Sequence, residues 1–158
     1  MDLYTKEQVL NMTQDYADVF STCAKVKVGS CVYPQGSTSP IFGCNHGVND
    51  CIKNGCRRIK LYGNASKEHR LPSDCDALHS EIDVISRAAK KGIRLEGATI
   101  YVTRYPCEAC ARAIAASGIK RVVYGRKESI SPYTALILSA AHVEVIHEIT
   151  WEREDNNE

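Results

Sequence analysis

His79-Ser80-Glu81 and, 27 residues after His79, Pro106-Cys107-Glu108-Ala109-Cys110 constrain this chain more than any other segment. One imidazole and two thiolates make three zinc ligands, and a tetrahedral zinc ion held by three protein ligands keeps a fourth position for water. Cys107 and Cys110 stand three apart at the start of a predicted helix, so both sulfurs lie on one side, where the helix N-terminus favours thiolate charge. His79 opens a second predicted helix. The ligands converge only if the two helix starts face each other across a sheet.

Glu81 decides what kind of site this is. A structural zinc needs four protein ligands and no free acid, whereas hydrolysis needs a base for water and an acid for the leaving group. Taken singly, each residue has an ordinary reading: Cys-x-x-Cys is as often structural or redox-active, a lone His is usually a core or surface group, and Glu81 is a common first-turn acid. Together, in this order, they favour a catalytic zinc on His79, Cys107 and Cys110 with Glu81 as the catalytic acid and base.

The chain has 158 residues, enough for one domain with its own core. A formal net charge of +1 gives no electrostatic footprint for nucleic acid, and Arg57-Arg58-Ile59-Lys60 and Lys90-Lys91 are short clusters. Met1 to Leu10 carries charges and lacks the apolar core of a signal peptide, and no apolar run approaches membrane-spanning length, so a cytoplasmic protein without a membrane partner is expected. Eight cysteines then read as metal ligands or free thiols rather than disulfides.

Thr5 and Gln8 form a capping box, and Val9, Met12, Tyr16 and Val19 predict an amphipathic helix over 5–21. Residues 27–33 and 41–44 read as a hairpin. Residues 45–76 lack apolar periodicity yet carry Cys51, Cys56, His69 and Cys75, and so long a loop calls for an organising ligand. A helix from about Ala77 with Ile82, Ile85 and Ala89 on one face, a strand over 98–104, a helix over 107–117, a strand over 120–125, a helix from Pro132 to Ala140 and a strand over 143–149 follow. The rhythm predicts an α/β fold, a mixed five-stranded sheet between helical layers. The polar tail 151–158 reads as frayed.

H-x-E followed by P-C-x-x-C resembles the signature of zinc-dependent nucleobase deaminases. Ser21-Thr22-Cys23 with Lys27-Val28-Gly29, Gly43-Cys44-Asn45-His46, residues 98–103, Ile114 and residues 117–124 resemble deoxycytidylate (dCMP) deaminases in particular, over roughly residues 5–125. Two departures stand out: His46-Gly47-Val48-Asn49 follows the turn, and Ser80 replaces the commoner alanine of H-A-E.

The resemblance implies a single-domain (1–158), three-layer α/β/α cytidine-deaminase-like fold that converts dCMP to dUMP and ammonia, supplying thymidylate synthesis. Asn45 would contact the nucleotide, Lys25 or Lys27 its phosphate, and Ser80 with nearby backbone N–H groups the ring. It further implies dCTP and dTTP as effectors, with Mg²⁺ accompanying an effector nucleotide, and a homo-oligomer, a hexamer by preference. Cys51, Cys56, His69 and Cys75, with Cys23 as a fifth candidate, fall where some relatives bind a second, structural zinc that ties the insertion to the body; free buried thiols are the alternative. The rival functions are a free-base, nucleoside or tRNA deaminase, and a non-catalytic zinc-stabilised interaction module.

Overall fold

The computed structural model describes residues 3–63, 74–127, 131–151 and 153. Thr5 caps α1 (Lys6–Phe20), its side chain accepting from Gln8 N while Gln8 returns the bond, the capping box that the sequence predicts. The hairpin is β1 (Gly29–Tyr33) and β2 (Ile41–Cys44). Next come α2 (Cys51–Asn54), α3 (Arg57–Tyr62), α4 (Ser80–Lys90), β3 (Thr99–Arg104), α5 (Glu108–Ser117), β4 (Arg121–Arg126), α6 (Pro132–Ala140) and β5 (Glu144–His147). Each long element lies within a few residues of its predicted place.

The sheet runs in the order β2-β1-β3-β4-β5. β1 pairs antiparallel with both β2 and β3, whereas β3, β4 and β5 are parallel, so the sheet is mixed as expected. Strand residues alternate between two cores. Val32, Ile100, Val102 and Val122 pack with Val84 and Ala88 of α4, Ala111 and Ile114 of α5 and Leu138 of α6. On the opposite face, Cys31, Tyr101 and Val123 pack with Val9 and Leu10 of α1. Helices on both faces of one sheet give the three-layer α/β/α arrangement expected.

Parallel order in β3, α5 and β4 carries both strand C-termini to one edge of the molecule, and the N-terminus of α5 follows directly from β3 there. α4 reaches the same edge by lying against β2. Gly43 makes that possible: a Cβ at this position would stand 2.9 Å from Val84 N and 3.1 Å from the Ser80 carbonyl oxygen, so a larger residue would push the first turn of α4 away.

Three expectations are corrected. The buried stripe of α4 is Ser80, Glu81, Asp83, Val84 and Ala88 rather than the Ile82, Ile85 and Ala89 face, because the side turned to the sheet carries the polar groups of the site. The insertion 45–76 is not structureless: α2 starts at Asp50, whose carboxylate accepts from Ile52 N and Lys53 N, and α3 follows it. The tail is not frayed at its start. Trp151 is 5% exposed within the α1-side core, its Nε1 donates to Asn11 Oδ1 at 3.0 Å, and Arg126 lies over its ring. Arg153 continues the attachment by pairing with Asp15 and Asp18.

Truncating a buried tryptophan leaves a cavity that its neighbours fill only in part. Trp151→Ala is therefore expected to lower stability by about 3 kcal/mol or more in urea unfolding with an unchanged slope. Stability equal to the parent protein would show that this segment contributes no packing.

Candidate active site

The two helix starts meet. His79 is the N-cap residue of α4 and Cys107 that of α5, both in extended conformation. Cys110 follows one turn into α5. His79 Nδ1 lies 3.5 Å from Cys107 Sγ and 3.5 Å from Cys110 Sγ, and the three ligand atoms are all within 4.8 Å of one another. A tetrahedral ion with Zn–S bonds of about 2.3 Å and a Zn–N bond of about 2.0–2.1 Å separates sulfur from nitrogen by about 3.6 Å, so the donor set fits zinc. Among the described residues this is the one such trio.

The electrostatics agree with a cation site. Hydrogen bonds from Cys110 and then His79 lower the Cys107 pKa to about 3 against the cost of burial. The His79 pKa is raised, chiefly by its bond to Cys107. The Cys110 pKa is pushed up in turn by the bond to Cys107, by burial and by the nearby Glu81. Two helix N-termini pointing at the same spot add positive potential where thiolates gather.

Glu81 is 5% exposed, and burial raises its pKa above the ordinary carboxylate range. It sits beside Cys110 and contacts the Ser80 hydroxyl. Burial of this kind makes a carboxyl group a stronger proton acceptor than an exposed one. The site is also braced from outside. Thr134 Oγ1 of α6 donates to the Pro106 carbonyl at 3.2 Å, and Ser131 Oγ donates to the Glu108 carboxylate in the first turn of α5.

Behind the ligands, Asp83 gathers the backbone. Its Oδ2 accepts from Cys44 N and Arg87 Nε, each at 3.0 Å, and its Oδ1 meets His46 Nε2 at 2.9 Å. His46 and Leu78 exchange both backbone hydrogen bonds, which fastens the chain just before His79.

The other predicted contacts are placed as follows. Asn45 is 8% exposed; its Oδ1 accepts from Ser21 Oγ and Val28 N, and its Nδ2 donates to Val26 O, leaving one amide hydrogen for a ligand. Its carboxamide thus holds the 21–28 segment. Lys27 Nζ donates to the Asp18 carbonyl at 3.0 Å and is committed to the end of α1, while Lys25 is partly buried in the same segment. Ser80 is 1% exposed, its hydroxyl between Ser30 and Glu81.

All eight cysteines are free. Burial raises the Cys51 pKa, and the charges of Cys56, Cys23 and Cys75 add to the rise in that order, but no three of these four sulfurs lie within 4.8 Å of one another. His69 lies outside the described residues. Sequence reasoning missed Ser30, His46, Asp83 and Arg58 as participants. Arg58 on α3 is close enough to oppose the rise in the His79 pKa, and its buried Nε has no hydrogen-bond partner. The basic run 57–60 was its only signal in the sequence.

The family model for MafB19-like deaminases matches residues 5–152. Deoxycytidylate deaminase of Enterobacteria phage T2 is 42% identical over 94 residues, which cover 55% of this chain and 50% of that protein. ComE operon protein 2 of Bacillus subtilis (strain 168) is 30% identical over 131 residues, covering 79% of this chain and 61% of that protein. The chain thus spans about half to three-fifths of the length of these relatives. A crystal structure of dCMP deaminase from the cyanophage S-TIM5, in complex with dCMP and dUMP, aligns with a TM-score of 0.67 at 25% identity, covering 93% of this chain and 98% of that one. With the trio, the buried glutamate and the sheet order all in place, the match over nearly the whole chain shows that it belongs to the MafB19-like deaminase family.

Proposed function

We propose that this protein is a hydrolytic deaminase of dCMP that releases dUMP and ammonia. The observation that carries the reading is the three-donor cluster with a fourth, buried carboxylate beside it and not among its ligands. The likeness to phage deoxycytidylate deaminases supports cytidylate as the substrate class. Bound by His79, Cys107 and Cys110, zinc would supply Lewis acidity that makes water a nucleophile at neutral pH. Glu81 takes a proton from the attacking water and delivers it to N3 as the C4–O bond forms; it then carries the second proton to the amine, and the C4–N bond breaks with release of ammonia. The product dUMP then supplies thymidylate synthesis.

Asn45, with one free amide hydrogen, and Lys25 remain candidate nucleotide contacts, and Arg58 is the stronger candidate for the phosphate. Its buried, unpartnered Nε and its position near His79 support that role, because an arginine fork matches phosphate geometry. A second, structural zinc drawn from Cys23, Cys51, Cys56, Cys75 and His69 belongs to this reading on resemblance. Effector control by dCTP and dTTP, Mg²⁺ with the effector and a homo-hexamer belong to the same reading on resemblance alone. Among the described residues no helix is long and apolar enough to cross a membrane.

Offered dCMP, CMP, deoxycytidine, cytosine and guanine, the protein is expected to turn over dCMP fastest, followed by loss of cytosine absorbance. Glu81→Ala should abolish turnover and keep its zinc; normal turnover in that variant would sink the mechanism. Arg58→Ala is expected to raise KM for dCMP about tenfold or more while sparing deoxycytidine, since a charge-assisted hydrogen bond is worth about 1.5–3 kcal/mol. An equal effect on both substrates would remove Arg58 from the phosphate. Denatured protein should release about two zinc ions per chain, and Cys75→Ser about one, with lower thermal stability and retained activity. One ion from the parent protein would remove the second site.

A further inference from the structure

We propose that Ser30 and Ser80 form a two-hydroxyl brace that sets the orientation of the Glu81 carboxylate, with Ser80 as a positioning residue and Ser30 acting through it. The inference rests on the deaminase reading of this site. Ser80 Oγ lies 3.3 Å from Glu81 Oε2, and Ser30 Oγ lies 2.7 Å from Ser80 Oγ. The three residues are 0%, 1% and 5% exposed in chain order, so water does not compete for these bonds.

Proton counting gives the chain a direction. Each serine has one hydroxyl proton, and an ionised carboxylate only accepts. The Ser80 proton therefore goes to Glu81, and Ser30 must donate to Ser80. With its proton spent inward, Ser80 has none left to donate to a substrate ring, so positioning replaces the substrate contact that the sequence suggests for it. Holding Oε2 fixes the plane of the carboxylate beside Cys110.

The anchor is rigid. Ser30 lies on β1, between β2 and β3, opposite Gly43 on one side and Val102 on the other. Ser80 is the first residue of α4, whose distance from β2 is set by the missing side chain of Gly43. The carboxylate is thus referenced to the sheet rather than to its own flexible side chain, which lowers the reorganisation needed during proton transfer.

The test uses the zinc-loaded full chain. Ser80→Ala is expected to lower kcat on dCMP about tenfold with KM within about twofold of the parent, the size of a hydrogen bond to a charged group. It also leaves the Ser30 hydroxyl buried without a partner, which lowers thermal stability. Ser30→Ala/Ser80→Ala removes that orphan, so its melting temperature should recover while kcat stays as low as in Ser80→Ala alone. Zinc content should be equal in all three proteins. Wild-type kcat in Ser80→Ala, a change confined to KM, or a kcat that recovers with stability in the double variant would each overturn the brace. A parent protein inactive on every cytosine substrate would overturn the functional reading, and the brace with it; an active parent with an indifferent Ser80→Ala overturns the brace alone.

Discussion

The buried carboxylate of Asp83 is the interaction on which the site depends. Removing a carboxylate from water is costly unless donors replace the lost hydration, and Asp83 receives Cys44 N, Arg87 Nε and His46 Nε2. These donors come from the end of β2, the next turn of α4 and the turn after β2. One side chain therefore locks a strand end, a helix and a loop into a single body. His79 and Glu81 begin that same helix, so their distance from Cys107 and Cys110 follows from how firmly Asp83 holds α4 to β2. Gly43 permits the approach, and Asp83 supplies the attraction that maintains it.

The cluster opposite has a different logic. Cys107 and Cys110 are placed by a strand-to-helix turn whose parallel neighbours fix its height above the sheet, and α6 braces it from outside through Thr134 and Ser131. A ligand set divided between two independently anchored helix starts gains rigidity from tertiary packing rather than from a local loop. The thiol chemistry is divided in space as well. Cys31 and Cys44 are buried in the body, with pKa values pushed up by desolvation to about 12 and about 11, and behave as small apolar residues. Cys107 differs from them: it is exposed at the site, and its hydrogen bonds to Cys110 and His79 hold its pKa down.

Much of this was legible in the residues because local signals and tertiary outcome agree. Thr5 and Gln8 mark the start of α1, Ser131-Pro132 that of α6, and the H-x-E and P-C-x-x-C spacing the convergence of His79, Cys107 and Cys110. The face of α4 was misread because its sheet-facing stripe includes Ser80, Glu81 and Asp83, and apolar periodicity is blind to polar groups buried for use. α2 and α3 were missed because helices of four and six residues with no buried side chain leave no periodic trace. The bond of Lys27 to the Asp18 carbonyl could not be foreseen because a long flexible side chain has no direction until its partner is known. Trp151 escaped notice because one aromatic in a polar tail has no neighbours in sequence to announce its burial.

The attachment of Trp151 to Asn11 joins positions 140 residues apart. Until the later segment is available, Val9, Leu10, Tyr101 and Val123 have an open flank in the α1-side core. A growing chain emerging from the ribosome thus holds His79, Cys107 and Cys110 well before it can close that face, and contacts of such long sequence separation form late and slowly. The α1-side core therefore closes only after Trp151 has been made.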